Sequence, residues 1–108
     1  MLSICAHFAD ATMCRLLPYI QALTIQCEDL DFVLERPRGS PLFIVRRLRN
    51  GPTLEAGVLD GDVVVRINDS AAWELDRTTA LMLLLGDEDA RTVRVAWIPA
   101  AQMALAVR

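Results

Sequence analysis

The sequence predicts an α+β fold: a small, partly open antiparallel β-barrel or sandwich of five to six strands, capped by two α-helices. Three observations predict it. Short runs of β-branched and aliphatic residues recur between turn dipeptides. Between residues 20 and 98, two stretches carry helix start and stop signals. The chain has 108 residues, 54% hydrophobic but only 6% aromatic, which is enough for one mainly aliphatic core and short of two.

The elements follow in order. Residues 1–19 form an N-terminal extension. Its apolar positions Leu2, Cys5, Phe8, Ala9, Met13, Leu16 and Leu17 have the spacing of an amphipathic helix that Pro18 would end. In YIQALTIQC, the residues Ile20, Ala22 or Leu23, and Ile25 mark a strand with imperfect alternation. DFVLER sets Phe32 and Leu34 against Val33 and Glu35, the period of a half-buried strand. RPRGSP is turn material, and LFIVRRL from Leu42 to Leu48 is a third strand stopped by RNGP. Pro52 opens a helix of one to two turns, and Gly57 suits the left-handed residue at its end. After the Asp60-Gly61 turn, DVVVRIN is the clearest strand of the chain. Asp76 caps the main helix, RTTALMLLL, and Gly86 stops it. The charged loop DEDAR leads to a last strand, TVRVAWI, with Val93, Val95 and Trp97 on one face. Residues 99–108 are a helical or frayed tail.

Eleven basic residues against fourteen acidic ones give a formal charge of −3, so no nucleic-acid footprint is present. All eleven are arginine, a usage that a GC-rich coding sequence explains more simply than a carboxylate-binding surface does. Cys5, Cys14 and Cys27 are too few and odd in number for a disulfide framework, which favours a reducing, cytoplasmic setting. The N-terminal stretch lacks a basic start and is interrupted by His7, Asp10 and Arg15, a poor fit to a signal peptide. No stretch has the length and apolarity of a membrane span, so any membrane association is expected through partners.

The segment NGPTLEAGVLDGDVVVRIND, from Asn50 to Asp69, resembles the most recognisable part of the PDZ domain family. There a Gly-Pro opens a short helix, Ala-Gly ends it, and Gly-Asp turns into a strand. DRTTALMLLL and TVRVAWI fall where that family has its second helix and last strand, so the resemblance covers roughly residues 20 to 98. It departs at Asp69, where the family usually has glycine. Apart from the resemblance, Gly57 and Gly61 fit backbone angles that other residues adopt at a cost, and Asp62 can accept from nearby amides. Those are folding roles.

The resemblance implies a groove between the second strand and second helix, in which an extended peptide adds as an antiparallel strand. It implies that backbone amides of a Gly-Leu-Gly-Phe loop hold the peptide's terminal carboxylate. That loop aligns here with Asp29, Leu30, Asp31 and Phe32. Leu30, Phe32 and Leu34 would line a pocket for the ligand's last side chain, Val33 would continue the strand, and Leu81 and Leu84 would close the pocket from the helix. Arg77, first in that helix, would meet the third-from-last side chain and favour an acidic or hydrogen-bond-accepting one.

Both loop glycines are aspartates. Asp31 adopts left-handed angles less readily than glycine, and like charges at about 4 Å repel by about 1 to 4 kcal/mol at effective dielectrics of about 80 to 20. With Glu28 alongside, and Arg36 and Arg38 only beyond the strand, carboxylate recognition is expected to be weak or altered. An internal segment or a basic partner suits the loop better. Asp31→Gly is accordingly expected to raise affinity for free C-termini.

Enzymatic signals are sparse. Cys5-Ala-His7 has no nucleophile signature around it, and Cys5, His7, Cys14 and Cys27 lack the paired spacing of a zinc site. No Gly-rich phosphate loop follows a strand. The expectation is therefore an interaction module without enzymatic activity or cofactor, binding a C-terminal or internal peptide. Two alternatives remain open: a degenerate module whose groove is self-occupied or whose edge strand pairs in a homodimer, and a regulatory domain of a larger enzyme.

Overall fold

Val63, Val64, Val65 and Ile67 are all buried, so the run DVVVRIN occupies a position covered on both faces. The structure is a computed structural model that describes residues 17–106. The expected N-terminal helix, with Cys5, His7 and Cys14, lies outside the described residues.

Six strands form one antiparallel sheet: β1 (Gln21–Gln26), β2 (Val33–Glu35), β3 (Phe43–Arg46), β4 (Val63–Ile67), β5 (Ser70–Ala71) and β6 (Thr92–Ile98). Their order is β1-β6-β4-β3-β2, and β5 pairs with β4. Three helices accompany the sheet among the described residues: α1 (Pro52–Glu55), α2 (Arg77–Leu85) and α3 (Ala100–Ala106). The third joins the two capping helices and forms within the tail, which takes the helical of its two expected forms. A 3-10 turn, Cys27–Asp29, joins β1 to the segment before β2.

One face of the sheet carries the main core. Ile25, Phe43, Val45, Val64, Ile67, Val93, Val95 and Trp97 meet Ala80 and Leu84 of α2 there. Val93, Val95 and Trp97 share that face as their spacing predicts, and in β1 it is Leu23 rather than Ala22 that packs inward. The opposite face holds a smaller cluster of Val63, Val65, Ala96 and Ile98, with Met103 of α3 packed on it. A register shift between Val64 and Arg66, opposite Trp97 and Ala96, adds one residue to β4 in the manner of a β-bulge.

Local signals explain the boundaries. Strand β3 stops at Arg46, short of Leu48, because Arg47 takes φ 53° and turns the chain. Asn68 has φ 53° in the two-residue link between β4 and β5, and its Oδ1 accepts from the Arg94 N–H at 3.0 Å. Buried Asp62 accepts from the Leu59 N–H at 2.9 Å and also from the Ala100 N–H at 3.0 Å, fixing the start of α3.

Candidate functional site

Strand β2 is an edge: β3 lies on one side, and no strand of the described residues lies on the other. Val45, opposite Leu34, uses its own N–H and C=O toward the Gly61–Asp62 side, donating to Asp62 O at 2.9 Å and accepting from Gly61 N at 2.8 Å. Alternate residues of a strand bond to opposite sides, so the β2–β3 ladder bonds fall on Val33 and Glu35. Leu34 therefore directs its N–H and C=O to the open edge.

Beside that edge runs an apolar cleft of about 240 Å³ between β2 and α2. Leu30, Phe32, Val33 and Leu34 line it from the strand side, and Arg77, Ala80, Leu81 and Leu84 from the helix, with Phe43 at its base. The helix is placed by its caps. Asp76 Oδ1 accepts from the Thr79 N–H at 2.7 Å, and Gly86 ends the helix with φ 69°. That bond to Thr79 is the main reason the Asp76 carboxyl is held below the usual carboxylate range. Leu81 remains 49% exposed in the open cleft.

Arg36 follows β2 directly. Its guanidinium lies 4.0 Å from the centroid of the Phe43 ring and donates to the carbonyls of Ala72 and Leu75, which ties the end of β2 to the chain entering α2.

The two loop aspartates part company. Asp29 is exposed in the 3-10 turn. Asp31 is 7% exposed, and its carboxylate turns to α1: Oδ2 accepts from the Thr53 N–H at 3.1 Å, and Oδ1 from the Thr53 hydroxyl. Gly51, in the N-cap position of α1, has no side chain to offer, so Asp31 caps this helix from a distant segment. A Cβ on Gly51 would lie 2.5 Å from Asp31 Oδ2, so glycine there makes room for the carboxylate. The Asp31 carbonyl also accepts from the Arg49 N–H at 2.9 Å.

Two premises drawn from sequence are corrected by this geometry. Among the described non-glycine residues only Arg47 and Asn68 have positive φ, so Asp31 does not hold left-handed angles. Its charge is committed to Thr53 and does not border the cleft. Seven of the nine residues expected at the groove line the cleft: Leu30, Phe32, Val33, Leu34, Arg77, Leu81 and Leu84. Asp29 and Asp31 do not, while Phe43 and Ala80 do without having been expected. The alternation of Phe43 with Ile44, and Ala80 sitting one residue before Leu81, were the available signals.

A second cleft, of about 370 Å³, opens at the other end of α2. Gln26, Cys27 and Glu28 line it from the turn, and Leu85, Asp87, Glu88 and Arg91 from the end of the helix and its loop. Gly86 lets the end of α2 pack closely on Cys27 and on its own loop, because a Cβ there would stand 2.2 Å from Ala90 O and 2.6 Å from Cys27 Sγ. Cys27 is a buried free thiol whose N–H donates to Arg91 O at 2.7 Å. The described residues contain no cluster of three or more metal-ligating side chains and no helix long and apolar enough to cross a membrane. Comparison with protein-family models and with curated protein sequences returns no match.

Proposed function

We propose that this chain is a protein-interaction domain of the PDZ type, which binds a short peptide by adding it as a strand to β2 in the cleft against α2. The observation that carries this reading is the coincidence of two features: the outward N–H and C=O of Leu34, and an apolar cleft directly beside them. An edge strand offers backbone affinity without sequence preference, and adjacent pockets supply specificity. The order of strands and helices, with α1 between β3 and β4 and α2 before β6, is in keeping with the family that the Asn50–Asp69 segment resembles. In this reading the domain acts by binding, without catalysis of its own.

Recognition of a free C-terminal carboxylate is weak in this proposal. The Leu30 N–H is turned back onto Cys27 O at 3.3 Å, and Glu28 and Asp29 are exposed on the same turn. The test is selection from a random peptide library with the full chain, followed by titration of the selected peptides against wild type and Leu81→Glu. Leu81 is half exposed, so the substitution spares the fold and places a charge in the cleft. Saturable binding that Leu81→Glu abolishes is the expected result. Binding indifferent to that change, or none at all, defeats the proposal.

A further inference from the structure

We propose that the ligand does not end in the apolar cleft but continues past it, and that the acidic second cleft takes an arginine or lysine of its downstream segment. This rests on the strand-addition reading above.

Direction comes first. A strand added antiparallel to β2 runs opposite to Val33–Glu35, so its downstream end leaves at Leu30 and Leu84 rather than at Arg77. The two clefts are neighbours along the same two walls. Leu30 lines the first and Glu28 the second on the turn; Leu84 lines the first and Leu85 the second on the helix. A chain leaving the first cleft at Leu30 and Leu84 therefore emerges beside the second.

Charge then selects what enters. Glu28, Asp87 and Glu88 face Arg91, three carboxylates against one guanidinium, and none of them forms an ion pair with it among the described residues. Asp29 adds a further exposed carboxylate beside Glu28. A terminal carboxylate at this exit is opposed, whereas a cationic side chain on a continuing chain is attracted. At the opposite end Arg77 borders the cleft, so the ligand is polarised, with acceptor groups upstream and cationic groups downstream.

Three amidated peptide pools test this, each a random pentapeptide followed by Gly-Arg-Arg, Gly-Ser-Ser or Gly-Glu-Glu, with a fourth pool ending in a free carboxylate directly after the pentapeptide. Fluorescence polarisation at 50 and 500 mM NaCl reads affinity for wild type, for Leu81→Glu and for the double variant Glu28→Arg, Glu88→Arg. Asp87 is left in place because its Oδ1 accepts from the Asp89 and Ala90 N–H groups that shape the loop. The Arg-tailed pool is expected to bind about tenfold tighter than the Ser-tailed pool at low salt, since exposed charge pairs contribute up to about fivefold each. That advantage is expected to shrink at high salt and to disappear in the double variant, with Ser-tailed affinity unchanged. Equal affinity for all tails, with Leu81→Glu still abolishing binding, overturns the inference and leaves the strand-addition reading standing. So does tightest binding by the free-carboxylate pool. No binding by any pool overturns both.

Discussion

Asp29 and Asp31 sit two residues apart, in matching positions of one loop, and do opposite things. The first projects from an exposed turn. The second is buried and caps a helix that begins more than twenty residues later. Identical side chains on one short segment thus divide between surface charge and internal scaffold, and the partner that decides is Thr53. A carboxylate is costly to bury without hydrogen bonds, and α1 offers two donors, the Thr53 N–H and hydroxyl, for which Gly51 in its own N-cap position has no side-chain acceptor. Of the charge that sequence alone assigns to this loop, only part is available to repel or attract a ligand.

The sharpest way to break the comparison is Asp31→Ala. It leaves the buried Thr53 N–H and hydroxyl without their acceptor, and stability is expected to fall by about 3 kcal/mol, which lowers Tm by roughly 10 to 20 °C in a thermal melt. Asp31→Gly is expected to lose nearly as much, so any gain in affinity for free C-termini would be offset by unfolding. Gly51→Ala probes the same contact from the other side. Its φ of 169° suits alanine, so the expected loss of about 1 to 3 kcal/mol in urea denaturation comes from the methyl group displacing Asp31 Oδ2. Asp29→Asn is the contrasting substitution. Its stability is expected to stay within about 0.5 kcal/mol of wild type, while affinity for an arginine-tailed peptide drops at most about fivefold at low salt.

Asp76 joins the two cases, since it caps a helix as Asp31 does yet is exposed as Asp29 is. Its folded-state carboxyl is held below the unfolded value, first by the Thr79 amide. The stabilisation is therefore complete above the unfolded value near pH 4 and is lost as pH falls through the lower folded value. Asp76→Asn is expected to flatten that acid limb of Tm against pH. A mutant profile parallel to wild type would show that this cap carries no linkage.

Much of the architecture is legible in the sequence because local rules agree with the tertiary answer. Asp76 and Gly86 bracket α2, Pro52 opens α1, and the alternation in TVRVAWI assigns Val93, Val95 and Trp97 to one face. The seven cleft residues are legible by another route, since it is the family resemblance, not a local rule, that implies a groove between the second strand and the second helix. What is not legible depends on distant pairs. Nothing near Asp31 announces that Thr53 will take its carboxylate, and nothing near Pro99 announces that Asp62 will start α3. Strand β3 ends early at Arg47, whose left-handed angle no glycine or asparagine foretells.

The position of β6 between β1 and β4 bears on how the chain reaches this state. The first strand has the last as its neighbour in the sheet, pairing Gln21 with Trp97 and Gln26 with Thr92. During synthesis β1 must wait for nearly the whole domain, with the uncharged stretch QALTIQ unpaired meanwhile. Sheets closed by such distant pairings fold slowly, and uncharged strands left open are prone to wrong partners. Fast refolding of the β2–β3–β4 ribbon, followed by a slower phase in which β1 and β6 gain amide protection together, is the kinetic signature this topology entails.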